Sequence, residues 1–213
     1  MPDAAGAETP GLPSPRLQVR ALRSSFGGPF ELALGRGECV CIVGRSGSGK
    51  SVLLRLIADL DPGTGEVSLD GTPREHWSAP AWRRRVVYQP AEPAWWAPRA
   101  GDHFQGGDAV LVQASMQRLG LVPALLDAEV DRLSTGERLR LALVRSLAIG
   151  PRVLLLDEPT AALDEASVAS VETLLRERLA QGLSLLIVTH AQEQARRMGA
   201  RVFEMVSGRL YPR

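Results

Sequence analysis

The sequence predicts an α/β fold: a mostly parallel sheet flanked by helices, an antiparallel β subdomain on its N-terminal side, and a small helical lobe in the middle. Three observations predict it. Glu38–Val43, Val153–Leu156 and Leu183–Val188 are short apolar runs, the pattern of strands buried on both faces. Between such runs lie segments with apolar residues at helical spacing, and strands alternating with helices argue parallel pairing. Finally, Gly44-Arg45-Ser46-Gly47-Ser48-Gly49-Lys50-Ser51 reads G-x-x-x-x-G-K-S, with a strand-type run before it and a helical run after it.

Taken in order, residues 1–15 are rich in Pro, Gly and Ala without periodicity and read as a disordered leader. Leu17–Leu22 and Phe30–Leu34 read as strands joined through Ser24–Gly28. The strand at 38–43 feeds the glycine loop, and Val52–Ala58 continues as helix until Asp61-Pro62-Gly63. Gly65–Leu69 and the Asp70-Gly71 turn form a hairpin, and Ala81–Arg85 leads into a short strand, Val86–Tyr88. The prolines of Gln89–Pro93 end regular structure there. The region 94–150 reads as a helical lobe, with helices over Ala109–Leu119 and around Pro123–Glu129. A third helix opens at Leu133–Glu137 with Leu139, Ala142, Leu143, Ser146 and Leu147 on one face, and Gly150-Pro151 stops it. Strand Val153–Leu156 ends in Asp157-Glu158. A helix then carries Val168, Val171, Leu174, Leu175 and Leu179, and a strand ends in Thr189-His190. A short helix over Gln192–Met198 and a final strand, Arg201–Val206, close the chain at Gly208. The expected organisation is one domain over 16–213, with 16–93 and 151–213 as core and 94–150 as the lobe.

Composition narrows the function. A chain of 213 residues buries a substantial core. Its net charge of +1 gives no bulk attraction to nucleic acid or anionic membrane. No apolar run approaches membrane-spanning length, and the N-terminus lacks the charged and apolar regions of a signal peptide, which predicts a cytoplasmic protein. Cys39 and Cys41 lie two apart in one strand, on one face, and read as small buried apolar residues rather than a disulfide or metal site.

The glycine loop carries the first chemistry. Its glycines let successive backbone N–H groups converge, and the following helix adds its positive end, a cradle for phosphate. Lys50 is suited to reach β- and γ-phosphates, and the Ser51 hydroxyl to hold Mg²⁺. Lys50 is the only lysine in the chain; every other basic side chain apart from histidine is arginine. A flexible point charge suits a phosphate cradle better than a planar fork. Asp157 and Glu158 emerge from the C-terminal end of a buried strand, where ligands bind in open α/β sheets. Asp157 suits a Mg²⁺ role, and Glu158 the orientation and deprotonation of an attacking water. The fold class is therefore a P-loop NTPase core.

The order of the remaining motifs adds a resemblance. Gln89 follows the glycine loop, Leu133-Ser134-Thr135-Gly136-Glu137 precedes the acidic pair, and His190 follows it. From Leu17 to the C-terminus the chain resembles the ATP-binding cassette (ABC) ATPases, the nucleotide-binding subunits of ABC transporters. The resemblance implies that Phe26 stacks on adenine and that Gly44–Ser51 and Val52 hold the phosphates. It implies that Gln89 contacts Mg²⁺ and the attacking water, and that His190 contacts the γ-phosphate. Ser134 and Gly136 match the signature residues that cap the γ-phosphate of a partner subunit, and Asp164 matches the loop that crosses the dimer interface. The catalytic set is thus Glu158, His190, Gln89 and Lys50, the metal set Ser51, Gln89 and Asp157, and the cofactors ATP and Mg²⁺. The implied partners are a second copy of the chain and an integral membrane permease, with no nucleic acid. The implied location is peripheral, on the cytoplasmic face of the plasma membrane.

The signature departs from the family's L-S-G-G-Q: Thr135 replaces a glycine, and Glu137 replaces glutamine and brings negative charge near a triphosphate. Independently, Ser134 three residues before Glu137 makes a capping box. Trp95 and Trp96 stand as candidates for permease contact, the alternative being packing inside the lobe. The compact lobe resembles small iron- and metal-exporter subunits. The competing function is a soluble ABC ATPase acting on nucleic acid or ribosomes.

Overall fold

The computed structural model describes residues 15–213, so all but the last residue of the expected leader lies outside the described residues. The chain runs β1 (Leu17–Ser24), β2 (Gly27–Leu34), β3 (Cys39–Val43), α1 (Lys50–Ile57), β4 (Thr64–Leu69), β5 (Thr72–Pro73), α2 (Ala79–Arg85) and β6 (Val86–Gln89). It continues through α3 (Ala109–Arg118), α4 (Thr135–Ala148), β7 (Val153–Asp157), α5 (Glu165–Ala180), β8 (Ser184–Val188), α6 (Gln192–Arg197), β9 (Arg201–Val206) and β10 (Arg209–Pro212).

Two sheets form. An antiparallel sheet has the order β2-β1-β4-β5, and a six-stranded sheet the order β10-β9-β3-β8-β7-β6. In the larger sheet β9, β3, β8, β7 and β6 are parallel, while β10 returns antiparallel along β9. All residues of β3, β7 and β8 are buried, as their unbroken apolar runs require of strands covered on both faces. Strand alternation divides those residues between two cores. Val40, Ile42, Val153, Leu155, Leu186 and Val188 pack with α1, α2 and the antiparallel sheet. Cys39, Cys41, Leu154, Leu156, Leu185 and Ile187 pack with α3 to α6. The two cysteines are free thiols in that second core; a hydrogen bond to Cys41 and burial push the Cys39 thiol up, away from reactivity.

The α4 face predicted from spacing is wholly buried, and on α5 Val171, Leu174 and Leu175 are buried while Val168 and Leu179 are half-buried. Two expectations are corrected. The segment expected as a helix around 123–129 holds only a 3₁₀ turn, Pro123–Leu126, with a second, Val130–Arg132, just beyond it, because Pro123 opens a stretch too short for helical propagation. The chain does not close at Gly208: a hairpin there lets β10 extend the sheet.

Trp82 on α2 joins the layers. It is fully buried, and its indole N–H donates to the Ile57 carbonyl at 3.0 Å, satisfying a carbonyl at the end of α1. Trp82→Ala is expected to cost ~3–5 kcal/mol, read as a lower midpoint in urea unfolding.

Candidate functional site

The C-terminal ends of β3, β7 and β8 meet at a cavity of about 530 Å³, a volume suited to a small-molecule ligand. Phe26, Gly44, Ser46, Gly47, Gly49, Lys50, Ser51, Val52, Ala91, Asp157, Glu158 and His190 line it. Residues 26 and 190, at opposite ends of the sequence, converge because β8 pairs with β3 and because Gly208 bonds both Gly28, beside Phe26, and Ser48 of the glycine loop.

The loop geometry follows from its glycines. Gly44 has φ 151°, and a Cβ there would sit 2.5 Å from the Met205 carbonyl of β9, so no other residue fits. Gly49 caps α1 with φ 105° and offers no side chain, leaving the first N–H groups of the helix turned toward the cavity without a side-chain cap. Lys50 is buried, and its ammonium donates to the Gly44 and Arg45 carbonyls at 2.8 and 3.0 Å. The Ser48 hydroxyl is buried with no partner. Arg45 is exposed and adds its carbonyl rather than its guanidinium. Uncapped backbone donors, a partnerless hydroxyl and a lysine held only by backbone carbonyls make a fitting cradle for a polyphosphate.

Across the cavity, Asp157 is buried, and the Tyr88 hydroxyl donates to its Oδ2 at 3.2 Å. Glu158 holds the left-handed conformation, φ 47°, with its N–H bonded to the Val188 carbonyl at 2.9 Å. A non-glycine residue in that region is strained and turns its side chain out of the strand's alternation. His190 Nδ1 lies 3.0 Å from Glu158 Oε2. A carboxylate accepts only, so Nδ1 carries the proton. Ser51 and Asp157 are hard oxygen donors on one cavity, which fits Mg²⁺. Among the described residues no group of three or more His, Cys, Asp or Glu could hold a metal unaided, so an ion here would complete its shell with phosphate and water.

Phe26 is 77% exposed at the cavity mouth, free of the core and open to a flat ring. The structure does not bring every expected residue together. Gln89 does not line the cavity; it is buried at the end of β6, paired in register with Leu156, and neither its amide nitrogen nor its oxygen has a partner. Strand alternation sets it on the face opposite Asp157. Ser134, Gly136 and Asp164 also lie outside the cavity. Tyr88 is the residue that sequence reasoning missed; its place directly before Gln89 gave no signal of a bond to β7.

Ser134 caps α4. Its hydroxyl donates to Glu137 Oε2 at 2.7 Å and accepts from the Glu137 N–H at 3.2 Å, while the Ser134 N–H donates to Oε2 at 2.8 Å. The predicted capping box is therefore formed, with Glu137 supplying its second half. Asp164 caps α5 through Ser167, and Arg140 of α4 donates to the Ser167 hydroxyl at 3.1 Å, tying the two caps. The bonds from the Ser134 hydroxyl and N–H hold the Glu137 carboxyl below its ordinary value. Its contribution to stability is thus present above the unfolded carboxylate range and is lost as pH falls through the lowered folded value. Glu137→Ala is expected to cost ~1 kcal/mol at pH 7 and less below about pH 4, measured by urea unfolding at both pH values.

The two tryptophans part. Trp95 packs half-buried against the helical core, whereas Trp96 is 71% exposed. Both stand edge-on to buried His103 and against the Arg145 guanidinium.

Comparison with known proteins agrees with this geometry. Residues 28–161 match the family model described as ABC transporter. The chain is 35% identical to the Fe(3+) ions import ATP-binding protein FbpC of Streptomyces coelicolor, over 93% of this chain and 62% of that protein. It is 30% identical to a probable anion import ATP-binding protein of Haloferax volcanii, over 91% of this chain and 78% of that protein. Among solved structures, an ATP-binding subunit of an ABC transporter superposes with a TM-score of 0.82 at 21% identity, covering 91% of this chain and 87% of that one; this supports the fold. Both relatives carry import in their names, so the resemblance to exporters gains no support from them. The family model spans the glycine loop, the signature and the acidic pair in their order, and the fold sets loop and acidic pair on one cavity: the chain belongs to the ABC transporter family.

Proposed function

We propose that the chain is an ATP-hydrolysing subunit that binds Mg·ATP between two copies of itself and couples hydrolysis to a separate membrane permease, in the direction of uptake. One observation carries the dimer: the phosphate cradle and acidic pair share a cavity, while Ser134 and Gly136 stand outside it at the start of α4. A site that needs a cap over the γ-phosphate finds it on another copy. The unit is the domain over 16–213, with the lobe at 94–150 carrying the signature.

In this reading Phe26 stacks on the base, and the N–H groups of 44–52 with Lys50 hold the phosphates. A metal would be held by Ser51 and Asp157, with Gln89 as the further expected ligand, and when bound would supply charge neutralisation on the phosphates. Glu158 orients and deprotonates the attacking water, and His190, bonded to Glu158 through Nδ1, keeps Nε2 for the γ-phosphate. The partner's signature closes the site, with Asp164 at the seam. Phosphoryl transfer of this kind is mainly positioning and charge stabilisation. No helix among the described residues is long and apolar enough to cross a membrane, so the permease is a separate chain in this reading. Exposed Trp96, beside the loop after Gln89, is the aromatic available to anchor it. The relatives' import names favour uptake; the chain is placed on the cytoplasmic face, where ATP is.

Recovery of the tagged chain from the membrane fraction tests this. The expected result is co-purification of a multi-span membrane protein together with Mg²⁺-dependent ATPase activity. Recovery with ribosomes or nucleic acid instead would overturn the transport assignment.

A further inference from the structure

Asp157 is a buried carboxylate, and among the described residues the Tyr88 hydroxyl is the only side chain that donates to it. Pairing sets this up: β6 and β7 are parallel neighbours with Tyr88 opposite Leu155, so Tyr88 shares a face with Asp157 two residues further along β7. The ring packs against the core that includes α1, while the glycine loop's lysine bonds to backbone carbonyls and leaves the carboxylate to Tyr88.

We infer that Tyr88 is a positioning residue, holding the Asp157 carboxylate in the orientation a divalent cation requires. The inference deepens the nucleotide-site reading above and rests on it. Two physical reasons support it. A buried carboxylate without a donor pays a desolvation cost, and one neutral donor offsets part of it without neutralising the charge a cation needs. A hydrogen bond to one carboxylate oxygen also fixes rotation about the side chain and leaves the other oxygen to face the cation; partners of this kind typically change metal affinity 10–100-fold. Phenylalanine at this position would keep the ring packing and lose only the hydroxyl.

The test uses the full chain, a non-hydrolysable ATP analogue and Mn²⁺ as a paramagnetic probe, with free Mn²⁺ read by electron paramagnetic resonance. Tyr88→Phe is expected to weaken Mn²⁺ binding in the nucleotide complex by about tenfold, with metal-free nucleotide affinity little changed and the thermal midpoint lowered modestly by the lost donor. In an Asp157→Asn background the same substitution is expected to add nothing, because Tyr88 acts through Asp157. Unchanged Mn²⁺ affinity in Tyr88→Phe, or an equal loss in the Asp157→Asn background, overturns the inference. A wild-type chain that takes up no Mn²⁺ with nucleotide refutes the nucleotide-site reading itself, and the inference falls with it; that outcome is distinct from a variant matching a competent wild type.

Discussion

Glu158→Gln is expected to keep Mg·ATP binding and to lose turnover by roughly 10²–10⁴-fold, the range for removing a general base. The change is nearly isosteric. The amide oxygen still accepts from His190 Nδ1, 3.0 Å from the carboxylate oxygen in the native chain, and the left-handed backbone at residue 158 stays held by its bond to Val188. Cradle, Lys50 and Asp157 are untouched. Only the capacity to take a proton from water is gone. Binding measured by fluorescent nucleotide titration and turnover by phosphate release separate the two effects; hydrolysis near the native rate would show that another group is the base.

The second large effect concerns assembly. With hydrolysis blocked by Glu158→Gln, saturating Mg·ATP is expected to convert the chain to a dimer on size exclusion with light scattering. Adding Gly136→Asp is expected to weaken that dimer by at least ~100-fold, at about 1.4 kcal/mol per tenfold, since like charges brought together at an interface cost several kcal/mol. The variant is chosen because the fold tolerates it. A Cβ at Gly136 meets only the Leu163 side chain, at 3.5 Å, an ordinary contact. A carboxylate in the first turn of α4 is favourable to the helix on its own. A loss of dimer with an unchanged melting temperature therefore reports on the phosphate cap. A dimer as tight as before would mean that the signature of one copy does not face the nucleotide of the other.

Much of this was legible along the chain. The runs at β3, β7 and β8 are apolar without interruption, and that pattern fits a strand covered on both faces. The glycine loop could be read because a strand precedes it and a helix follows, and the acidic pair because it ends a buried strand. β10 escaped notice: four residues, one of them Pro212, carry little alternation, and an edge strand draws its pairing from its neighbour β9. Trp95 and Trp96 are adjacent and chemically identical, so spacing could not tell that one turns inward and the other outward.

Contiguous residues carry the chemistry available: a phosphate loop with a single lysine, two carboxylates at a strand end, and a serine-capped helix between them. Those are local patterns, written in contiguous residues. The tertiary structure alone decided which of them share a cavity. It put Phe26 and His190 at one mouth, left Ser134 and Gly136 outside, turned Gln89 away into the interior and set Tyr88 against Asp157. Each of these depends on which strand lies beside which and in what register, and a parallel neighbour is joined through a long crossover that local spacing does not encode.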